Sequence, residues 1–470
     1  MEKIIKPGSY IYIMGICGTA MAALAGLLKE KGYIIKGSDS QTYPPMGDML
    51  KRLDIEVNIG YFPVDIAENK PDLVIIGNVI RRDNPQAMYV MIENIPYMSF
   101  PEALNKFVIG NRKRYVVSGT HGKTTTTSML ISVLRAAGFD PGFMVGGILN
   151  GDNKGFHLGA SDMFVLEGDE YDTAFFDKQP KFMHYYPDYL IITSLEFDHA
   201  DIYRDVESIK EQFGKLIKIV PENGIIIYNN DWEHLNDIFK NTNRQFLTYG
   251  ISKDARWSLD NVLINEGKMT FDVLRDNKLL DTFETYLSGK HNALNCLSVI
   301  ALCYETGMDI NHIKKGIFGA KGVKRRQEIK GIKHDITVID DFAHHPTAIS
   351  ETLSSLKETY KDKRLVAIFE PRSNTTRRNI FQDIFPKSFT FAQKVIIKDV
   401  YEPGNIPQNE LLDTKKLIDD MQKLHIDASL CKTTEEILVN LLPCLKKGDI
   451  VVAMSNGAFD NICERILEKL

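Results

Sequence analysis

Short runs of apolar residues alternate along the chain with longer stretches in which apolar positions recur every three or four residues. The first pattern reads as strands buried on both faces and the second as helices that cover them, so the chain predicts parallel sheets wrapped by helices. The opening stretch gives a strand at Tyr10–Met14, a glycine turn, a helix over Ala20–Lys31, strands at Tyr33–Lys36 and Leu73–Ile76, and a short strand within Asn94-Ile-Pro-Tyr-Met98. The polar, basic stretch Gly110-Asn-Arg-Lys-Arg114 reads as a linker and puts a domain boundary near residue 110. Strands then recur at Arg114–Val117, Phe164–Leu166, Tyr189–Thr193 and Gly224–Tyr228, each followed by polar residues. Between Ala255 and Leu287 the pattern changes to strict alternation with turn signals, which predicts a small antiparallel patch before a helix at 291–305. The α/β pattern resumes beyond Lys321-Gly-Val-Lys-Arg-Arg326 with strands at Thr337–Ile339, Leu365–Phe369, Lys394–Ile397 and Asp449–Met454. Pro346 sets the first turn of a helix at 346–359. The expected domains are 1–110, 111–320 and 321–470.

Length agrees with that division, since 470 residues exceed what one hydrophobic core supports. Lysine and arginine number 57 against 62 aspartates and glutamates, without a basic block, so neither nucleic acid nor a membrane surface is an expected partner. The six cysteines lie far apart, with no CxxC pair, and read as reduced thiols of a cytoplasmic protein. The N-terminus enters a strand rather than a signal-peptide core, and no apolar run approaches the roughly 18 residues of a membrane span.

The most specific chemistry is Ser118-Gly-Thr-His-Gly-Lys-Thr-Thr-Thr-Thr127, placed between a strand and a helix. Backbone N–H groups of such a loop face phosphate oxygens, and the helix N-terminus adds partial positive charge. Gly119, Thr120, His121, Gly122 and Thr125 would cradle ATP, Lys123 would neutralise its outer phosphates, and the Thr124 hydroxyl would ligate Mg2+. Val117 stands where the common P-loop has its first glycine, so the loop is a compressed form. Glu167-Gly-Asp-Glu-Tyr-Asp172 ends a neighbouring strand and offers Glu167 as a hard-oxygen metal ligand. Glu196-Phe-Asp-His-Ala-Asp201 repeats the device, with His199 in a metal or proton-transfer role.

Other strand ends carry weaker signals. Gly15-Ile-Cys-Gly-Thr19 opens a helix, the setting for a diphosphate, but Cys17 at the second glycine position disfavours a nicotinamide dinucleotide. Asp39 is placed to meet a ribose or base, or simply to close a turn. Asn292 and Asn295 share a helix face, suited to an adenine edge or to capping. Arg325 and Arg326 would clamp phosphates, and Asp340-Asp-Phe-Ala-His-His345 gathers two carboxylates and two imidazoles. Arg372, Asn374 and Arg377 suit carboxylates, and Ser455 and Asn456 open a turn that predicts exposed N–H groups at a helix start.

Taken in order, the ATP loop, Glu167–Asp172, Glu196–His199, Gly289-Lys-His-Asn-Ala-Leu-Asn295 and Asp340-Asp-Phe-Ala-His-His-Pro-Thr347 make the whole chain resemble the Mur ligase family. The resemblance implies a Rossmann-like UDP-binding domain, a central P-loop ATPase-like domain with a parallel or mixed sheet, and a C-terminal Rossmann-like domain. The stretches Tyr43-Pro-Pro-Met46, Ala174-Phe-Phe-Asp-Lys178 and Glu370-Pro-Arg-Ser-Asn-Thr375 point within the family to joining the tripeptide L-Ala-γ-D-Glu-meso-diaminopimelate to UDP-N-acetylmuramate, with ATP and Mg2+. The carboxylate would pass through an acyl phosphate, in recycling of the cell wall. A ligase for free L-alanine and a non-catalytic nucleotide-dependent binding protein are the alternatives. By the same resemblance Gly15, Cys17, Gly18, Thr19, Asp39 and Asn78 face the UDP-sugar, and Thr124, Glu167 and His199 hold metal. Asn292, Asn295, Arg326 and Asp340 contact ATP, while His345, Arg372, Asn374, Arg377, Ser455 and Asn456 face the peptide. Lys123, His199, Arg326, Asp341 and His344 form the catalytic set, with the proton acceptor left open among Asp341, His344 and His345. A monomer or weak homodimer is expected.

Overall fold

The computed structural model describes residues 4–43, 45–400 and 406–470, so Pro44 of the Tyr43–Met46 stretch lies outside the described residues. Five strands, β1 (Tyr10–Met14), β2 (Ile34–Asp39), β3 (Glu56–Ile59), β4 (Leu73–Ile76) and β5 (Tyr97–Ser99), form a parallel sheet in the order 3-2-1-4-5. β1 is buried along its whole length because helices cover both faces, which is why it reads as an uninterrupted apolar run. The helix Thr19–Glu30 follows β1, and Pro85–Ile92 follows β4, its start fixed by Asn84, whose side chain accepts from the N–H groups of Gln86 and Ala87.

The expected linker is pinned. Arg112 donates to the carbonyls of Val108 (2.6 Å), Ile109 (3.2 Å) and Leu158 (2.5 Å), and the next strand, β6 (Lys113–Ser118), already contains Lys113 and Arg114. Then come β7 (Gly142–Met144), β8 (Phe156–His157), β9 (Met163–Gly168), the separate hairpin β10 (Asp172–Ala174) and β11 (Asp177–Pro180), β12 (Tyr189–Ile192), β13 (Ile225–Asn229) and β14 (Leu247–Gly250). Pairing runs β14-β13-β12-β6-β9-β7-β8, parallel except for β7 with β8. The expected antiparallel patch is β15 (Trp257–Asn265), β16 (Lys268–Arg275) and β17 (Lys278–Thr285), followed by the helix Lys290–Glu305.

The last sheet contains β18 (Glu328–Lys333), β19 (Ile336–Asp341), β20 (Leu365–Phe369), β21 (Lys394–Lys398), β22 (Asp427–Cys431) and β23 (Ile450–Met454), in the order 18-19-23-20-21-22, with only β18 antiparallel. Val395 and Ile397 pack into one core and Ile396 into the other, so alternate residues of β21 feed opposite faces. Asp341, Met454 and Phe369 stand in register at the carboxyl ends of β19, β23 and β20, which brings three loops to one rim. The helix expected directly after Gly457 starts only at Ile462, because Phe459, Asp460 and Asn461 all adopt positive φ.

By internal contacts the chain divides into two compact units. One holds Met1–Leu195, Glu207–Ala255 and Ser298–Ile317; the other holds Glu196–Val206, Arg256–Leu297 and Phe318–Leu470. No helix among the described residues is long and apolar enough to cross a membrane.

Candidate active site

In the first unit the phosphate loop leaves β6 between its neighbours β9 and β12, with Ser118 in register with Gly168 and Ile192. Gly119 has φ +131°, and a Cβ on it would lie 2.3 Å from Thr193 Oγ1 and 2.8 Å from Ser194 N. Only glycine lets the loop lie this close to the end of β12. The amide of His121 donates to Ser194 Oγ at 2.8 Å, and Gly122, at φ +81°, starts the helix Lys123–Ala136.

Lys123 Nζ lies 2.9 Å from Glu170 Oε2 and 2.5 Å from the carbonyl of Gly119. Burial would lower the lysine pKa, yet the charges of Glu170, Asp169 and Glu167 outweigh it and raise it, so the ammonium is kept. The Thr124 hydroxyl donates to Glu167 Oε2 at 3.0 Å, while Glu167 Oε1 accepts from Gly146 N at 2.7 Å. A hydroxyl and a carboxylate gathered beside a cationic loop fit a Mg2+ carrying phosphate oxygens. Glu170 is a member of this site that the motif alone did not single out. Its partner is 47 residues away, and the pairing depends on β6 lying beside β9.

In the first sheet the glycine loop is held by its own hydrogen bonds. The amides of Gly15 and Ile16 donate to Ser38 O, that of Cys17 donates to Asp39 Oδ2 at 2.8 Å, and that of Gly18 donates to Gly15 O. Asp39 is therefore a buried brace of the loop, receiving the Ser40 amide as well. The N-terminus of the helix beginning at Thr19 remains the part suited to a diphosphate. Burial and the Asp39 charge push the Cys17 thiol up to about 11, which keeps it neutral. Asn78, just past β4, joins Arg81, Arg82, Phe175 and Lys178 around a cavity of about 430 Å³. Phe175 and Lys178 belong to the Ala174–Lys178 stretch singled out in the sequence, whereas the arginine pair was missed, although two successive arginines after a strand end were a usable signal.

In the second unit the Glu196–Asp201 segment meets the loops of the last sheet. Ala200 N donates to Thr375 Oγ1 at 3.3 Å and Asn374 Nδ2 to Asp201 Oδ2 at 3.2 Å, while Arg377 donates to Asn374 Oδ1 at 2.8 Å. Asp198 is 6% exposed; burial raises its pKa, but His199, His344 and His345 overcome that and hold it well below the usual carboxylate range. His199 itself adopts φ +57°.

The histidine pair divides into two roles. His345 caps the helix Pro346–Thr359, its Nδ1 accepting from Thr347 N at 3.3 Å while Nε2 faces the carbonyl of Phe197 at 3.3 Å. It is 5% exposed and braces the helix start, and its Nδ1 also lies 3.6 Å from Glu196 Oε2. His344 is half-buried, and its Nδ1 lies 3.0 Å from Phe342 O, which fixes a tautomer with the lone pair on Nε2.

Asp341 accepts from Gln327 N and Ala343 N, each at 2.7 Å, and from Thr352 at 3.3 Å, and it is 3% exposed. These three bonds make Asp341 a support of the loops around β19. The Arg325–Arg326 pair separates too. Arg325 binds Asp340 at 3.2 Å and the carbonyls of Ser455 and Gly457 at 2.7 and 2.6 Å, whereas the Arg326 guanidinium lies 4.7 Å over the Phe342 ring. Asp340 is thus paired with Arg325, and burial raises its pKa against that arginine. Asn292 and Asn295 share a face as expected, with Asn295 Nδ2 donating to Asn292 Oδ1 at 3.3 Å. The N–H groups expected beyond β23 are used internally, Ser455 N on Asp341 O and Gly457 N on Ser455 Oγ.

Family models match the chain in three consecutive blocks: the Mur ligase family catalytic domain over residues 10–112, the Mur ligase middle domain over 117–303, and the Mur ligase glutamate ligase domain over 325–457. The chain is 38% identical, over 98% of both sequences, to the UDP-N-acetylmuramate:L-alanyl-γ-D-glutamyl-meso-2,6-diaminoheptandioate ligase of Escherichia coli. It is 33% identical, over 95% of both, to the UDP-N-acetylmuramate–L-alanine ligase of Clostridium tetani. The crystal structure of a murein peptide ligase from Psychrobacter arcticus matches with a TM-score of 0.72 at 34% identity, covering 98% of each chain. This chain belongs to the Mur ligase family.

Proposed function

We propose that this protein is an ATP-dependent ligase that joins the tripeptide L-Ala-γ-D-Glu-meso-diaminopimelate to the lactyl carboxylate of UDP-N-acetylmuramate, releasing ADP and phosphate. The observation that carries the nucleotide part is the convergence of Lys123, Thr124, Glu167 and Glu170 at the ends of β6 and β9. The substrate part is supported by the relatives at 38% and 34% identity that span nearly the whole chain.

A carboxylate is a poor electrophile and repels the triphosphate it must attack. Lys123 supplies positive charge at the outer phosphates, and the loop amides supply dipoles that need no reorganisation during the reaction. Mg2+, for which Thr124 and Glu167 provide hard oxygens, would draw further charge from the phosphates when bound. The lactyl oxygen attacks the γ-phosphorus, ADP leaves, and the peptide amine then displaces phosphate from the acyl group. For the amine proton the geometry supports His344 over Asp341 and His345, which are occupied as described. The Asn78–Arg82 cavity suits an anionic sugar nucleotide by charge. A cytoplasmic setting is supported by six cysteines held as thiols outside any disulfide, five of them buried.

Phosphate release measured with ATP and UDP-N-acetylmuramate tests the reading, with tripeptide and L-alanine compared at matched concentration. The tripeptide should be preferred at least about tenfold in kcat/KM, as expected for a pocket built around its extra polar groups. Preference for alanine would move the chain to the other activity found among its relatives, and release without either amine would remove the ligase reading.

A further inference from the structure

The end of β21 carries a lysine that none of the roles above uses. Lys398 Nζ lies 2.9 Å from Glu370 Oε1 and 3.1 Å from Asp460 Oδ2, and 5.5 Å above the Phe459 ring. Glu370 opens the loop after β20, and its Oε2 accepts from Ser455 Oγ at 2.7 Å; Ser455 Oγ in turn accepts from Gly457 N at 2.9 Å. Arg372, two residues on, lies flat across Gly457, where a Cβ would fall 2.3 Å from its Cδ and 2.4 Å from its Nη1. Asp460 is held on its other side by Thr434 Oγ1 at 2.6 Å, and the Asn456 Oδ1 beside this turn is buried without a hydrogen-bond partner.

Two cations therefore stand near one buried carboxylate. Lys398 is in hydrogen-bond contact with Glu370, whereas Arg372 Nη1 stops 3.9 Å from it, beyond hydrogen-bond range. Lys398 bridges Glu370 and Asp460, and Glu370 Oε2 is taken by Ser455, so the hydrogen-bonding positions of Glu370 are filled without Arg372. The Arg372 side chain is 55% exposed and presents a planar fork of donors to the rim where the loops after β19, β20 and β23 meet.

We propose that Lys398 is a positioning residue: by neutralising Glu370 it keeps the Arg372 guanidinium available for a carboxylate of the incoming peptide. The inference rests on the ligase reading above. Without the lysine, Arg372 closes the remaining gap, pairs with Glu370, and the peptide loses its anchor. A carboxylate-bearing amine substrate is the ligand class this arrangement takes, because the group exposed at the rim and outside hydrogen-bond range of Glu370 is a guanidinium and not an acid.

The test is steady-state kinetics of Lys398→Gln, Lys398→Met and Lys398→Arg, with Arg372→Gln and the Arg372→Gln/Lys398→Gln double variant. Loss of one charge-assisted hydrogen bond predicts that Lys398→Gln and Lys398→Met raise KM for the tripeptide about tenfold. Their kcat and their KM for ATP and UDP-N-acetylmuramate should stay within about twofold, and Lys398→Arg should restore tripeptide KM. Arg372→Gln should raise KM at least as much, and adding Lys398→Gln should change nothing more, since both act through one guanidinium. Unchanged tripeptide KM, equal losses for all three substrates, or additive effects would each overturn the proposal. So would failure of both Lys398→Gln and Lys398→Met to fold, which would make the lysine a structural clamp of the Phe459–Asn461 turn. If the wild-type protein releases no phosphate with tripeptide, the ligase reading falls and takes this role with it. If the wild type turns over and Lys398→Gln is normal, only the role of Lys398 falls.

Discussion

At Gly119 the missing side chain is what permits the fold, since any Cβ would enter the space of Thr193 and Ser194. Gly119→Ala should therefore destabilise the protein by about 1–3 kcal/mol, the usual cost of a strained backbone position. It should also weaken nucleotide binding sharply. Denaturant unfolding together with titration of a non-hydrolysable ATP analogue checks both, and normal binding would remove the cradle role of the loop. Residues whose chemistry is declared by local spacing, such as Lys123 and Thr124, were legible in the sequence. Their partners were not: Glu170 and the Lys398–Glu370 pair are matched by strand register, which spacing along the chain does not encode. The same limit applied to Asp39 and Asp341. Each stands at a strand end and accepts from backbone amides of neighbouring loops, partners that spacing along the chain did not name.

The helix over Pro346–Thr359 shows what an element reveals about itself. Its bounds were readable because proline favours the first helical turn, but the capping role of His345 was not, since histidine is an uncommon cap. The two adjacent histidines should accordingly separate. His345→Ala should cost about 1 kcal/mol of stability, the usual worth of a cap, while His344→Ala should leave stability unchanged and lower kcat by about 10²-fold or more, as loss of a general base does. Chemical denaturation and phosphate-release kinetics on both variants check this; equal behaviour would reject the division of labour. The strands that escaped the sequence reading were short or at sheet edges. β3 is half exposed and begins with glutamate, and β22 carries Asp427 and Ser429 among its five residues, so neither shows a buried run. The turn after β23 was misread because three successive positive-φ residues that are not glycine give no signal in composition.

Within each sheet one device recurs: loops that follow its parallel strands collect at that sheet's own carboxyl rim and carry polar residues there. That recurrence made the α/β class readable from alternation alone. If the reaction passes through an acyl phosphate, one oxygen of the lactyl carboxylate must leave with phosphate. Oxygen-18 placed in that carboxylate should appear in inorganic phosphate during turnover, as read by mass spectrometry, and unlabelled phosphate would exclude the intermediate.

The guanidinium of Arg112 ties together the carbonyls of Val108, Ile109 and Leu158. What read as a linker is a rivet, and its location decides where the polypeptide can be divided. A fragment beginning at residue 111 would carry the rivet head away from two of its three holes, whereas one beginning before Leu104 keeps the fastening whole.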